Sequence, residues 1–484
     1  MSSAGVKSRR FLFVLLLSAL IAGALAAGRA SSAPPPKPLS AKVAPSAAVL
    51  TESSTVWFCP GLPTALPHAA GRVTFSNIGD ATAEVVVTDL ADSGSASHVT
   101  IEVRAGTVVT KARDQLGGPG ALTVETFGGQ VLVEEGIEDP RFTDTVPCAT
   151  QSSPHWYFAA GTTPRGVQQW LVLDNPYASD AKVDVTLRTS TGLHRPAALQ
   201  SLDIARRSRE VIAIHDIAVR TDRVAVAVDA QVGTVVAAQA LVYTPAAGTP
   251  GVALSLGSPA AAADWTFTGG VAQPGSTTVV AIANVGRDAA QVDVQATAES
   301  SKQSLAPTNL TVAQDDVAWV QLGQCAAAPG KACVNIPAGV RYSLDVRSDQ
   351  NVSIVAQTLT RFENAPAIVG TVTSPGAIAP ARGWAFARNR VSGERATTLS
   401  MFNPSAAPAV VDIGLVHDGR LERPRVLQHV TVPPGRAVTV TIVGGRNPSK
   451  PDAALTINAS EPIFVERSVI AGSEVASSVG IVVG

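Results

Sequence analysis

The sequence predicts an all-β protein: four tandem immunoglobulin-like β-sandwich repeats after an N-terminal signal or anchor helix. Three observations lead there. Trp57, Trp156, Trp265 and Trp384 each open a stretch, in the settings WFCPG, WYFAAG, WTFTGG and WAFARN. An asparagine follows each at a nearly constant offset, Asn77, Asn175, Asn284 and Asn403 lying 20, 19, 19 and 19 positions on. Apolar and polar residues alternate with period two through the body of the chain, and no long stretch beyond the leader has a clear helical period.

The first element, residues 1–29, reads as a signal peptide or membrane anchor. Lys7, Arg9 and Arg10 precede an apolar run from Phe11 to about Gly28. A helix of that length spans about 27 Å, just short of a hydrocarbon core of about 30 Å, so the segment suits cleavage or anchoring. Ala24-Leu25-Ala26 and Gly28-Arg29-Ala30 offer the small residues a signal peptidase needs. Either way the cations stay inside and the rest of the chain faces outward, an extracytoplasmic location, secreted or anchored to the membrane. Residues 30–51, rich in Pro, Ala and Ser, form a spacer, because proline excludes regular ladders and favours an extended chain of about 3.1 Å per residue.

Four units follow, residues 52–150, 151–262, 263–380 and 381–484. Eight positions beyond each Asn a β-rich triplet begins, at Val85, Val183, Val292 and Val411. The stretches VRAGTVVT, IARRSREVIAI, VAQDDVAWV and VPPGRAVTV place polar residues between β-branched runs, the pattern of two strands and a tight connection. The stretches ALTVETFGGQVLVEE, VAVAVDAQVGTVVAAQ, YSLDVRSDQNVSIVAQ and ALTINASEPIFVER read as a closing hairpin. About six or seven strands per unit match the spacing of an immunoglobulin-like sandwich. An antiparallel sheet buries one face, so each unit pairs two sheets, and the opening Trp is the large plug between them. Each Asn precedes a Gly or Pro closely enough to serve as a turn former.

Outside the cytoplasm, four cysteines favour bonding over free thiols, with three connectivities open. Pairing Cys59 with Cys148 and Cys325 with Cys333 keeps each bridge inside one unit. Loop entropy would give the long bridge roughly 4–5 kcal/mol and the short one about 2–3 kcal/mol.

The wording WYFAAGTT…WLVLDNPYASDAKVDVTL…PIFVERSV resembles a repeat of exported actinobacterial proteins, a family of unknown function in which W-Y-F-A, N-P and V-x-E-R motifs recur. The first copy departs from it at Cys59, and the third lacks both N-P and E-R. The resemblance implies an extracellular β-rich protein and supplies no catalytic residues.

The chain carries 37 Lys plus Arg against 38 Asp plus Glu, a net charge of -1, without a cationic cluster to release phosphate counterions, which argues against nucleic-acid binding. Its seven histidines have neither H-x-H nor H-E-x-x-H spacing, and nucleophile-elbow and phosphate-loop motifs are absent. Neither catalytic residues, nor a metal, nor a cofactor is expected. Asp315-Asp316 reads as a solvated turn and His215-Asp216 as a surface loop. Glu466-Arg467, like Glu134 and Gln239, stands where the repeat admits polar residues, and an edge or interdomain contact is expected there. Trp170 and Trp319 break the repeat, replacing smaller or polar siblings. They are the candidate contacts for a ligand or partner, unless a neighbouring domain covers them. The expectation is a non-enzymatic envelope protein serving adhesion, scaffolding or assembly, its partners an envelope protein or the membrane. The alternative is a carbohydrate-binding accessory that contacts cell-wall glycan.

Overall fold

Trp57, Trp156, Trp265 and Trp384 are at most 1% exposed and rank among the largest fully buried side chains. The computed structural model describes residues 49–50 and 55–483 except 64, 68–69, 91–95, 119, 140, 300–304, 326–331, 366–367, 390–394, 444–451 and 472–473. The expected signal or anchor, and all of the spacer but Val49 and Leu50, lie outside the described residues. Among the described residues no helix is long and apolar enough to cross a membrane.

Almost all regular structure is β-strand, built into sandwiches. In the first unit, Thr55–Cys59, Ala121–Phe127, Ala83–Leu90 and Ala96–Val103 make one sheet. Val108–Ala112, Gly71–Asn77, Val131–Asp139 and Phe142–Pro147 make the other. Alternate residues point between them: Trp57, Val85, Val87, Val124, Val73, Phe75, Val131 and Val133 share one core with the Cys59–Cys148 disulfide. The second, third and fourth units repeat the arrangement, and Cys325 bonds Cys333 in the third. The preferred cysteine pairing is the one observed.

Two local expectations change. The closing segment of each unit is not a hairpin. In the first unit Ala121–Phe127 pairs with Ala83–Leu90, whereas Val131–Asp139 pairs with Gly71–Asn77, so the chain crosses between sheets at Gly128, whose φ of +85° only glycine adopts readily. The segment before it crosses too: Leu202–Ile204, which ends at the first residue of IARRSREVIAI, and Ser208–Ala213 within it lie in different sheets. Alternation tells which residues point inward but not which sheet supplies the hydrogen bonds, and a hairpin would leave one inner face without its partner. In the fourth unit the closing segment is a single 19-residue strand, Ala453–Ala471, that passes through both sheets.

The second change is an additional edge strand, which takes each unit beyond seven strands. Phe142–Pro147, Gly251–Leu256, Gly370–Pro375 and Glu474–Val479 each edge the second sheet of their unit. These four strands pack against one another in cyclic order, first to second to third to fourth and back to first. Residues Val43–Gly484 therefore form one compact unit rather than four sandwiches in a row. The ring is closed by a strand pair: Val49–Leu50 lies parallel to Ile481–Val483, extending a sheet of the fourth unit, and Leu50 is 1% exposed.

Candidate functional site at the seams of the ring

Each opening strand runs from its Trp out of its own sandwich and onto the next unit round the ring. There its backbone needs partners, and a position on the closing strand supplies them in three seams. Glu134, Gln357 and Glu466 are equivalent in strand register, three residues beyond Val131, Ile354 and Ile463. Between second and third units, the Ala160 N–H donates to Gln357 Oε1 at 3.1 Å. Between fourth and first, the Ala387 N–H donates to Glu134 Oε1 at 2.9 Å, and Arg467 Nη2 donates to Glu134 Oε2 at 3.1 Å. Between third and fourth, Glu466 accepts from the Thr268 N–H and from the Ser374 and Ser477 hydroxyls. In the remaining seam the equivalent residue is Ala238, which has no acceptor, and the lock reverses: Arg209 Nη1 donates to the Leu62 carbonyl at 3.1 Å.

Burial sets the protonation of these groups. Glu466 is pushed up to about 7 by desolvation, against the pull of its hydroxyl and N–H donors. Asp144 is pushed up to about 8 for the same reason, although the Leu254 N–H of the second unit donates to it at 2.6 Å. Beside the Arg209 lock, burial raises the Glu135 carboxyl and lowers the Arg113 guanidinium, each partly restored by the other's charge. Asp174, also there, is raised well above its ordinary value by burial and then by Glu135, and both its oxygens are buried without a hydrogen-bond partner.

A cavity of about 160 Å³ opens in the seam between the third and fourth units. Its origin is local. The opening strand loses register between Phe267 and Gly270, and Gly269 takes a φ of +83°. The fourth unit's opening strand is irregular at the same place, but Arg388 stands there and fills the space, bonding Glu138 at 2.8 Å and Asp452 at 2.7 Å. A cavity of only about 50 Å³ remains in that seam. Phe267, Thr268, Tyr342, Glu466 and Ser477 line the larger space, with exposed Arg341 at its edge.

The sequence-derived candidates fall at defined places. Asn77, Asn175, Asn284 and Asn403 are at most 1% exposed, and each side chain clasps a turn. Asn284, for example, donates from Nδ2 to the Asp288 and Val312 carbonyls and accepts the Gly286 N–H on Oδ1. Trp170 is half-buried against the cluster of Leu62, Leu66 and Ala240 between the first and second units, edge-on to His215 at 4.9 Å. Trp319 is half-buried against the core shared by the second and third units, and its Nε1 is buried without a partner. Asp315 is not a free turn residue, since Arg188 of the second unit bonds it at 2.9 Å. Among the described residues no group of three or more His, Cys, Asp or Glu is placed to hold a metal. Sequence reasoning missed the seam cavity and the Arg209 lock. The Gly-Gly pair of WTFTGG, where its sibling reads ARN, was the signal for the cavity.

Residues 131–383, a little over half of the chain, match a Family of unknown function (DUF5719). The chain belongs to that family. The DUF5719 match begins at the strand that carries Glu134 and ends one residue before Trp384, so it holds the whole second and third units. No curated protein matches the chain. A solved structure described as Thermotoga maritima 1070 is 14% identical, covers 22% of this chain and 94% of its own, and superposes with a TM-score of 0.19. Another, a tetra-tandem repeat from the extending region of a large adhesion protein, is 12% identical, covers 89% of this chain and 99% of its own, and has a TM-score of 0.11.

Proposed function

We propose that this DUF5719 protein is a non-enzymatic, extracytoplasmic envelope protein, held to the membrane by its N-terminal segment, whose ring of sandwiches acts as a rigid platform for adhesion, scaffolding or assembly. One observation carries the reading. Glu134, Arg209, Gln357 and Glu466, buried groups of the kind that serve chemistry elsewhere, each bond the neighbouring unit's backbone and so hold the ring together. Two disulfides suit an oxidising compartment, and the repeat wording supports an exported protein of actinobacterial kind. A second reading, a carbohydrate-binding accessory of cell-wall or polysaccharide biosynthesis, draws on the hydroxyl-lined cavity rather than on Trp170 and Trp319.

Co-sedimentation of the purified protein with membrane, envelope-protein and wall-polysaccharide fractions tests the platform. Pelleting with a protein fraction, and cross-linking to a partner there, is the expected result. Pelleting with polysaccharide alone would replace the platform with the second reading, and turnover of an envelope substrate would overturn both.

A further inference from the structure

We infer that the cavity between the third and fourth units is a binding site for a small neutral polyhydroxylated ligand, either a free polyol or the terminal sugar of a glycan. The inference goes beyond the platform reading and deepens the second one.

Size comes first. An apolar cavity of about 150 Å³ accommodates benzene, so a space of about 160 Å³ takes a ligand of roughly six to ten heavy atoms, larger only if part of it stays at the mouth. Polarity then selects the chemistry. The lining hydroxyls of Thr278, Thr360, Ser374 and Ser477 both donate and accept, as the hydroxyls of a polyol do. Phe267 and Tyr342 supply apolar faces for its C–H groups. Thr268, 4% exposed, also lines the space, and its hydroxyl is buried without any partner.

Charge argues against the other small ligands. Arg341, the lining cation, is exposed at the edge, so no buried cation awaits an anion. Glu466 is the lining carboxyl, and its oxygens already accept from Ser477, Ser374 and Thr268, which makes it a hydrogen-bonding group rather than a bare counter-charge for an amine. Near neutral pH it can also donate, since burial raises it to about 7. In the seam between the fourth and first units Arg388 narrows the equivalent space to about 50 Å³.

Calorimetric titration of the full chain with erythritol, ribitol, methyl glucoside and n-butylammonium chloride tests the site. Saturable binding of erythritol or ribitol marks a free polyol, and binding of methyl glucoside alone marks a glycan terminus; either supports the inference. Thr268→Val should then weaken binding at least fivefold and Ser468→Leu, which fills the cavity, should abolish it, both with melting temperatures close to that of the parent without ligand. Should either variant melt early, Glu466→Gln, equal in shape, should still flatten the pH dependence of affinity between pH 5 and 8. No saturable binding of any hydroxylated probe, binding unchanged in all three variants, or preference for the ammonium ion would overturn the site. Wall polysaccharide that pellets the Ser468→Leu protein as well as the parent would overturn the cavity and leave the glycan-binding reading standing.

Discussion

At the scale of single residues, one repeated position carries different consequences in different units. Trp156, Trp265 and Trp384 donate from Nε1 to the carbonyls of Val235, Ile354 and Ile463 at 2.7, 3.0 and 3.0 Å, whereas Trp57 Nε1 is buried without a partner. Replacing Trp by Phe leaves a cavity in each case, but in the fourth unit it also removes the donor that the Ala381 and Ile463 carbonyls share, while in the first it removes an unsatisfied donor. Trp384→Phe should therefore cost about 1–2 kcal/mol more than Trp57→Phe, read from the shift in urea midpoint. Glu466 supplies a second expectation. Its folded pKa of about 7 lies above the ordinary 4.5, so the folded state binds this proton more tightly than the unfolded chain. The stabilisation is complete below about pH 4.5 and is lost as pH rises to about 7. Glu466→Gln should gain on the parent by on the order of 2–3 kcal/mol between pH 4.5 and 8; parallel denaturation curves at all pH values would show that the carboxyl titrates normally. The Trp and Asn positions were legible because they serve their own sandwich and recur at a fixed spacing. Thr268 was legible only through its neighbours Gly269 and Gly270, and Glu466 only as a contact between units, because neither shows in sequence that the two face one space.

At the scale of elements, the closing strand explains both what could be read and what could not. Its inward residues, such as Val131, Val133, Ile463 and Val465, keep the alternation that marks a sandwich core. Its outward residues vary, Glu134 against Ala238, Gln357 and Glu466, because each meets a different neighbour. At Glu134 and Glu466 that variation is the interdomain contact expected there, and it is specific to each seam. The Glu134–Arg467 bond, with side chains 2% and 1% exposed, should behave as a buried ion pair. Arg467→Met alone leaves a buried carboxylate and should cost about 3–5 kcal/mol, while Glu134→Gln added to it should recover much of the loss. A double-mutant cycle by chemical denaturation measures the coupling, and additive losses would remove the pair from the account.

At the scale of the whole molecule, four similar sandwiches face the risk that a unit docks against the wrong sibling. The seams differ in kind: an arginine on carbonyls, an amide, a carboxyl among hydroxyls and an ion pair. A unit out of order would bury an unmatched charge, so the locks favour one cyclic order. The ring itself was not legible, since periodicity reports each sandwich's interior and is silent on its outer faces. Closure rests on the Val49–Leu50 strand together with the Glu134 contacts of the same seam, and the two-residue strand should fail first. Leu50→Asp should raise hydrogen exchange at Ala385 and Ile481, which share its core, before exchange rises in the second and third units. Uniform loosening of all four units would show that the ring melts as one body.

The sense of that strand pair also bears on force. Val49–Leu50 and Ile481–Val483 run parallel, so tension entering ahead of Val49 and leaving beyond Val483 draws the two strands past one another lengthwise. In this shear geometry the hydrogen bonds between them are strained together, whereas an antiparallel pair held by the same two ends would unzip one bond at a time. A pull on both ends of the chain therefore meets the joint of the ring in its more resistant direction.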